Sequence, residues 1–227
     1  MTRWRTTGSL LVTLFAFSFF LGCGDDKATN PPPSLMWQVV GTAGLSVGEV
    51  RGLSLFVANG TPYVAYVDAG LGDRVVVKKY DGTSWVQLGD TSLANDNDYV
   101  SLFVHDGTPY VAFDDGGPVV RKFENDTWMP PEGPISPAHA DYISLSVEGG
   151  MPYVAFSDGG QDHKISVRKL VDSAWLTVGT EGFSDGMADL VSLFVDGGVP
   201  YVAFRDYAHT FYATVMRMEG GDWTVLG

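Results

Sequence analysis

Cysteine is almost absent from this chain of 227 residues. The single thiol, Cys23, rules out an intramolecular disulfide and leaves everything after it without a cysteine nucleophile. Positive charge is scarce as well: 14 Lys and Arg stand against 27 Asp and Glu, for a formal net charge of −13. An acidic surface repels phosphate backbones and anionic lipid alike. This argues against a nucleic-acid partner and against membrane attachment through basic side chains. The four histidines, His105, His139, His163 and His209, follow no metal-ligand spacing. A Gly-x-Ser-x-Gly elbow, a phosphate loop and a dinucleotide fingerprint are all missing. Carboxylates are too many for counting to exclude a glycosidase pair, yet none is singled out. What is plentiful points elsewhere: 45% hydrophobic residues, 13% aromatics and 28 glycines suit a turn-rich all-β protein with one sizeable core.

The N-terminus carries an address. Arg3 and Arg5 precede Leu10–Leu21, an apolar stretch of 12 residues that is short for a membrane-spanning helix and suits a secretory signal. Phe20-Leu21-Gly22-Cys23 follows at once. It resembles the lipobox of bacterial lipoproteins, although Phe20 and Leu21 depart from the usual Leu-Ala-Gly-Cys. The resemblance implies a signal peptide over residues 1–22, diacylation of Cys23 and cleavage before it. Residues 23–35 read as a lipidated cysteine and an extended, solvated tether, because Gly24–Ser34 holds three successive prolines and no apolar residue larger than Ala. Gly24 follows the cysteine, so inner-membrane retention is not indicated. The expected location is the bacterial cell envelope, lipid-anchored at the outer membrane or cell surface.

From residue 36 to 227 the chain repeats itself. Gly60-Thr-Pro-Tyr-Val-Ala-Tyr-Val-Asp68 returns as Gly107–Asp115, Gly150–Asp158 and Gly198–Asp206. Around each copy lie three further apolar runs, which in the first unit are Leu53–Val57, Arg74–Tyr80 and Trp85–Gly89. All are short, β-branched and aromatic, and bounded by Gly, Asp and Asn, so each predicts a strand. Asn59-Gly60 and Asp81-Gly82 predict tight hairpins. Ser54, Ser101, Ser144 and Ser192 are spaced by 47, 43 and 48 residues. Four antiparallel strands per unit of this size predict a β-propeller-like blade. Ala65, Ala112, Ala155 and Ala203 would let neighbouring blades approach closely, and each copy's proline opens its strand, where a missing N–H costs little.

The unit resembles the tandem short propeller-like repeats of bacterial secreted and surface proteins: Ser-Leu-x-Val, then Gly-x-Pro-Tyr-Val-Ala-Tyr/Phe-x-Asp, then Lys-Tyr/Phe, then Trp-x-x-Val/Leu-Gly. The fold expected is all-β and β-propeller-like, with four repeats of about four antiparallel strands. The Trp strand occurs five times, from Trp37 to Trp223, so one is surplus at the N-terminus. Either the ring is open or a second chain supplies what is missing, and an open edge invites a homo-oligomer.

Four sets of residues are candidates for a site. Asp68, Asp115, Asp158 and Asp206 could form a rim that holds calcium, the one cofactor considered, or each could accept from its own turn amides. The second reading is favoured, because a repeated residue serves the repeated fold. By the same argument the Trp series is expected to pack between blades. Lys78-Lys79, Arg121-Lys122, Arg168-Lys169 and Arg217 are expected to pair with aspartates of the neighbouring strand. The loops between the second and third strands vary most, so the ligand-binding candidates are Asp73, Arg74, Asp162, His163, Tyr207, His209 and Tyr212. The function expected is a non-catalytic, lectin-like binding module for glycan. A self-associating scaffold for a surface protein comes second, and a glycan hydrolase or lyase third.

Overall fold

The computed structural model describes residues 37–90, 93 and 98–226. The signal peptide, Cys23 and the tether lie outside the described residues. The chain divides into units 1–38 and 39–227, and every described strand belongs to the second. Sixteen strands form four antiparallel sheets of four, called blades here. Blade one is β1 (Val50–Ala58), β2 (Thr61–Asp68), β3 (Arg74–Tyr80) and β4 (Trp85–Gln87). Blade two is β5 (Val100–His105), β6 (Thr108–Asp114), β7 (Pro118–Glu124) and β8 (Thr127–Trp128). Blade three is β9 (Ala140–Glu148), β10 (Met151–Asp158), β11 (Lys164–Val171) and β12 (Ala174–Thr177). Blade four is β13 (Ala188–Asp196), β14 (Val199–Asp206), β15 (Tyr212–Glu219) and β16 (Asp222–Val225).

The repeated motif forms the second strand of each blade, and residues with positive φ turn the chain into it. Asn59 and Gly60 sit at φ 49° and 76°, and Asp106–Gly107, Gly149–Gly150 and Gly197–Gly198 follow suit. Their twist matches that of the strands they join. Asp81-Gly82 differs: the Asp81 carboxylate accepts from the amides of Thr83 and Ser84, which makes an Asx loop between β3 and β4.

The blades stack face to face in chain order, and the core lies between them. Tyr63, Ala65, Val67, Val75 and Val77 of blade one pack on Val100, Leu102 and Val104 of blade two. Tyr110, Ala112 and Val120 meet Ile143, Leu145 and Val147 in the same way. Tyr153, Ala155 and Val167 meet Leu193 and Val195. Strands covered on both sides explain the unbroken apolar run Tyr-Val-Ala-Tyr/Phe. The periodic serines stitch the joints: the amides of Leu102, Leu145 and Leu193 donate to Ser54, Ser101 and Ser144 Oγ at 2.9, 3.0 and 2.9 Å.

Three expectations are corrected. The surplus N-terminal strand does not form: residues 37–49 carry no strand and Trp37 is exposed. Each blade draws all four strands from its own repeat, β16 included, so no blade lacks a strand for it to supply. In the second repeat the terminal aspartate is Asp114, not Asp115, because β6 ends one residue sooner and its turn to β7 is two residues shorter than the others; Asp115 is exposed. The basic pairs do not reach the second-strand aspartates. The register sets Lys79 opposite Tyr63 and Arg74 opposite Asp68, so the two charges lie about 17 Å apart along the strand. Lys78 Nζ donates instead to the Leu45 carbonyl at 2.5 Å and Arg121 to the Met129 carbonyl at 3.0 Å. Lys122, Arg168 and Arg217 pair with Glu124, Glu181 and Glu219.

Candidate functional site

The ends of the second strands share one edge of each blade. There Asp68, Asp114, Asp158 and Asp206 are buried, and each serves its own turn. Asp68 accepts from the amides of Val47, Gly48 and Gly70 at 2.8, 2.9 and 3.0 Å. Asp114 accepts from Gly117 and Ala140, Asp158 from Gly160, and Asp206 from Ala208. These carboxylates tie the strand end to its turn; Asp68 also holds the linker entering blade one, and Asp114 the start of β9 in blade three. Among the described residues, no group of three or more His, Cys, Asp or Glu side chains converges as a metal site requires.

The seven loop candidates fall into three separate clusters. In blade one, Asp73 pairs with Arg51, which also reaches Asp98 at 3.1 Å, while Arg74 opens β3. In blade three, Asp162 is exposed and His163 lies 3.6 Å from Asp141, with His139 Nε2 3.3 Å from the same carboxylate. In blade four, the Tyr207 hydroxyl donates to Asp189 at 2.9 Å, and Arg205 Nε donates to Asp189 at 2.7 Å. The Arg205 hydrogen bond, reinforced by that of Tyr207, holds the Asp189 carboxyl below the usual carboxylate range. His209 Nδ1 lies 2.7 Å from Asp206, and that hydrogen bond raises the imidazole above its ordinary value. His209 also lines a cavity of about 310 Å³ with Asp185, Asp206 and Thr214. Tyr212 opens β15 and is exposed, with Phe211 exposed beside it.

A different site emerges from the tryptophans. Trp85 Nε1 donates to the Val40 carbonyl at 2.8 Å, Trp128 to Leu88 at 3.0 Å and Trp223 to Val178 at 3.0 Å. In each case the next residue is a glycine with positive φ lying under the indole: Gly41, Gly89 and Gly179. A Cβ on Gly89 would stand 2.7 Å from Trp128 Cδ1, so no other residue fits. The end of one fourth strand is thus latched beneath the Trp of the next blade. For the tryptophans of blades one, two and four the packing expected of the Trp series is what the geometry shows.

The fourth latch is missing. Three residues separate Trp from Gly in Trp37–Gly41, Trp85–Gly89 and Trp175–Gly179, but Trp128 is followed by Met-Pro-Pro-Glu-Gly133, with four between. Two prolines cannot donate to a ladder and cut β8 to two residues. No glycine slides under Trp175, and its Nε1 donates to no described protein acceptor. A cavity of about 340 Å³ opens there between blades two and three. Trp175, Tyr110, Pro131, Lys122, Glu124 and Glu132 line it. An aromatic wall with a free N–H, a cation and two carboxylates make an amphipathic pocket. The sequence placed Trp175 and Lys122 in repeated sets expected to pack and to pair, and did not single out this pocket, although the displaced glycine was there to be seen.

No family model matches the chain, and no curated protein matches it. Solved structures do. The SapL1 lectin in complex with alpha methyl fucoside superposes with a TM-score of 0.60 at 14% identity, covering 76% of this chain and 62% of that one. A triple-arginine mutant of AofleA from Arthrobotrys oligospora gives 0.56 at 12% identity, over 76% and 54%. An engineered GH43 glycoside hydrolase with endo-xylanase and exo-arabinofuranosidase activity gives 0.53 at 12%, over 82% and 41%. The chain spans about half the length of the solved structures it matches. At such identities the likeness is one of fold: a repeat architecture of the propeller type, shared by carbohydrate-binding lectins and glycan-active enzymes.

Proposed function

We propose that this chain is a non-catalytic glycan-binding module, tethered through Cys23 to the bacterial cell envelope, with its site in the cavity between blades two and three. The observation that carries this reading is the broken latch at Trp175. The indoles of Trp85, Trp128 and Trp223 are each capped by a glycine and bonded to a carbonyl, whereas that of Trp175 faces an open, polar-edged pocket. The apolar face of a sugar ring stacks on an indole, and its hydroxyls can accept from Trp175 Nε1 and Lys122 and donate to Glu124 and Glu132. The lectins among the similar folds support the class of ligand; the glycoside hydrolase keeps hydrolysis as the competing reading.

The test is a glycan array with residues 24–227, run with and without calcium, followed by titration of the best glycan against Trp175→Ala. Binding without turnover, weakened at least tenfold by the substitution, is the expected result. A blank array, or binding indifferent to Trp175 and lost instead with Tyr207 and Tyr212, would overturn the site. Release of reducing ends from the bound glycan would favour the hydrolase. The anchor is tested separately: Cys23→Ser should abolish metabolic labelling by a radioactive fatty acid, and labelling that persists would remove the lipoprotein reading.

A further inference from the structure

The three joints between blades are copies of one interface, and the chain presents both halves of a fourth copy unused. One half is the leading face of blade one. Leu53, Leu55 and Val57 are 57–69% exposed, whereas their equivalents Val100, Leu102 and Val104 in blade two and Ile143, Leu145 and Val147 in blade three are 8% exposed or less. The other half is the trailing face of blade four. Phe194 is 61% exposed, while its equivalents Phe56 and Phe103 stand partly buried with ring centroids 4.6 Å apart. Val215 is 38% exposed, while its equivalents Val77, Val120 and Val167 are buried. The polar stitch is vacant too: Ser192 holds the place from which Ser54, Ser101 and Ser144 accept the amide of the next blade's leucine. Leu55 is the leucine that would supply that amide.

We infer that these faces join head to tail between two copies of this chain, blade four of one packing on blade one of the next. The occupant is argued from the interface itself. A partner must offer an apolar β triplet with a free amide to blade four, and a Ser-x-Phe strand backed by Tyr-x-Ala to blade one. This chain carries both in the register it uses three times internally. The faces differ, so the contact is heterologous, and it generates a ring or a filament according to the rotation per copy. It extends the inter-blade core already built and does not depend on the glycan reading. The resident stretch before blade one also finds a role. Val40–Gly41 sits under Trp85 where the end of a partner's β16 would lie, and Trp37–Gly41 and Trp223–Gly227 share the spacing. Assembly exchanges one for the other.

The test is sedimentation velocity on residues 24–227, which contain the whole compact unit 39–227, with two charge substitutions at exposed positions. The wild-type chain should sediment at micromolar concentration as two or more copies. Leu55→Lys and Val215→Lys should each sediment as one copy. Mixed together they should form a 1:1 dimer, because each supplies the face that the other lacks. A wild-type chain that remains a single copy would overturn the inference. So would assembly that survives both substitutions, or variants that do not complement each other. Glycan binding at Trp175 is measured on the same variants, so its loss or survival is read independently.

Discussion

Trp128 Nε1 donates to the carbonyl of Leu88, 40 residues earlier and one blade back, and the indole lies over Gly89. This contact joins the outer edge of blade one to blade two, while Ser54 and Leu102 join the inner strands. This joint and the one between blades three and four are therefore fixed at two radii, and the joint lacking its outer fixing is the one that carries the cavity.

The latch glycines are under two constraints, positive φ and the indole above. Gly89→Ala should cost about 1–3 kcal/mol through overpacking against a buried ring. Gly107→Ala, at φ 78° with nothing within 4 Å, should cost less because only backbone strain is added. Urea denaturation of the two variants measures the difference. Equal losses would show that the indole contact contributes nothing beyond the turn.

Asp189 is buried, and Arg205 and Tyr207 both donate to it. Its carboxyl is held below the ordinary 3.8. A depressed carboxylate contributes stability that is fully present above the unfolded value and is lost as pH falls through the folded one. Arg205→Ala should therefore destabilise the chain near neutral pH, by about 1–3 kcal/mol for a buried carboxylate deprived of charged donors. The deficit should shrink as pH falls below 3.8 and be lost once it passes the depressed folded value, where the carboxyl is protonated in either state. A deficit that stays constant through that range would assign the effect to lost packing.

His209 behaves in the opposite sense. Its hydrogen bond to Asp206 raises the imidazole above 6.5. The stabilisation is complete below that value and fades as pH rises through the raised one. Nuclear magnetic resonance titration of the ring should give a midpoint above the ordinary range, and Asp206→Asn should lower it. A midpoint unchanged by that substitution would refute the pairing.

Much of the architecture was legible in the sequence, because strands that repeat declare themselves. Pro62-Tyr-Val-Ala, its hairpin glycine and its terminal aspartate specify a covered second strand wherever they occur. Trp37 misled because a strand needs a place in a sheet as well as a sequence, and each blade's fourth place is filled by its own repeat. Asp115 misled because the motif was aligned by residue type, whereas a turn two residues shorter moved the capping role to Asp114. Tyr207 and His209 looked available as loop residues, but a nearby buried carboxylate engages each of them. The inter-blade cavity was hidden for another reason. It arises from a contact that fails to form, and its only trace is a glycine displaced by one position after two prolines.

That trace makes the cavity reversible. Pro130→Gln, Pro131→Leu and Glu132→Gly together would turn the stretch after Trp128 into Met-Gln-Leu-Gly, the spacing that follows Trp85, without changing the loop length. β8 could then extend, the carbonyl of residue 131 would meet Trp175 Nε1, and the new glycine would slide beneath the ring. One recovered hydrogen bond contributes about 1 kcal/mol, partly offset by the greater chain entropy that two lost prolines give the unfolded state. The repaired chain should therefore unfold at an equal or slightly higher urea concentration, and Trp175 fluorescence should shift to the blue as the indole leaves water. Glycan binding should disappear, because the pocket that held the ligand is filled by the protein's own backbone. Loss of binding at undiminished stability separates this outcome from misfolding. A repaired latch that still binds the same glycan with unchanged affinity would place the site elsewhere, with the exposed Tyr212 and Phe211 of blade four the next to substitute.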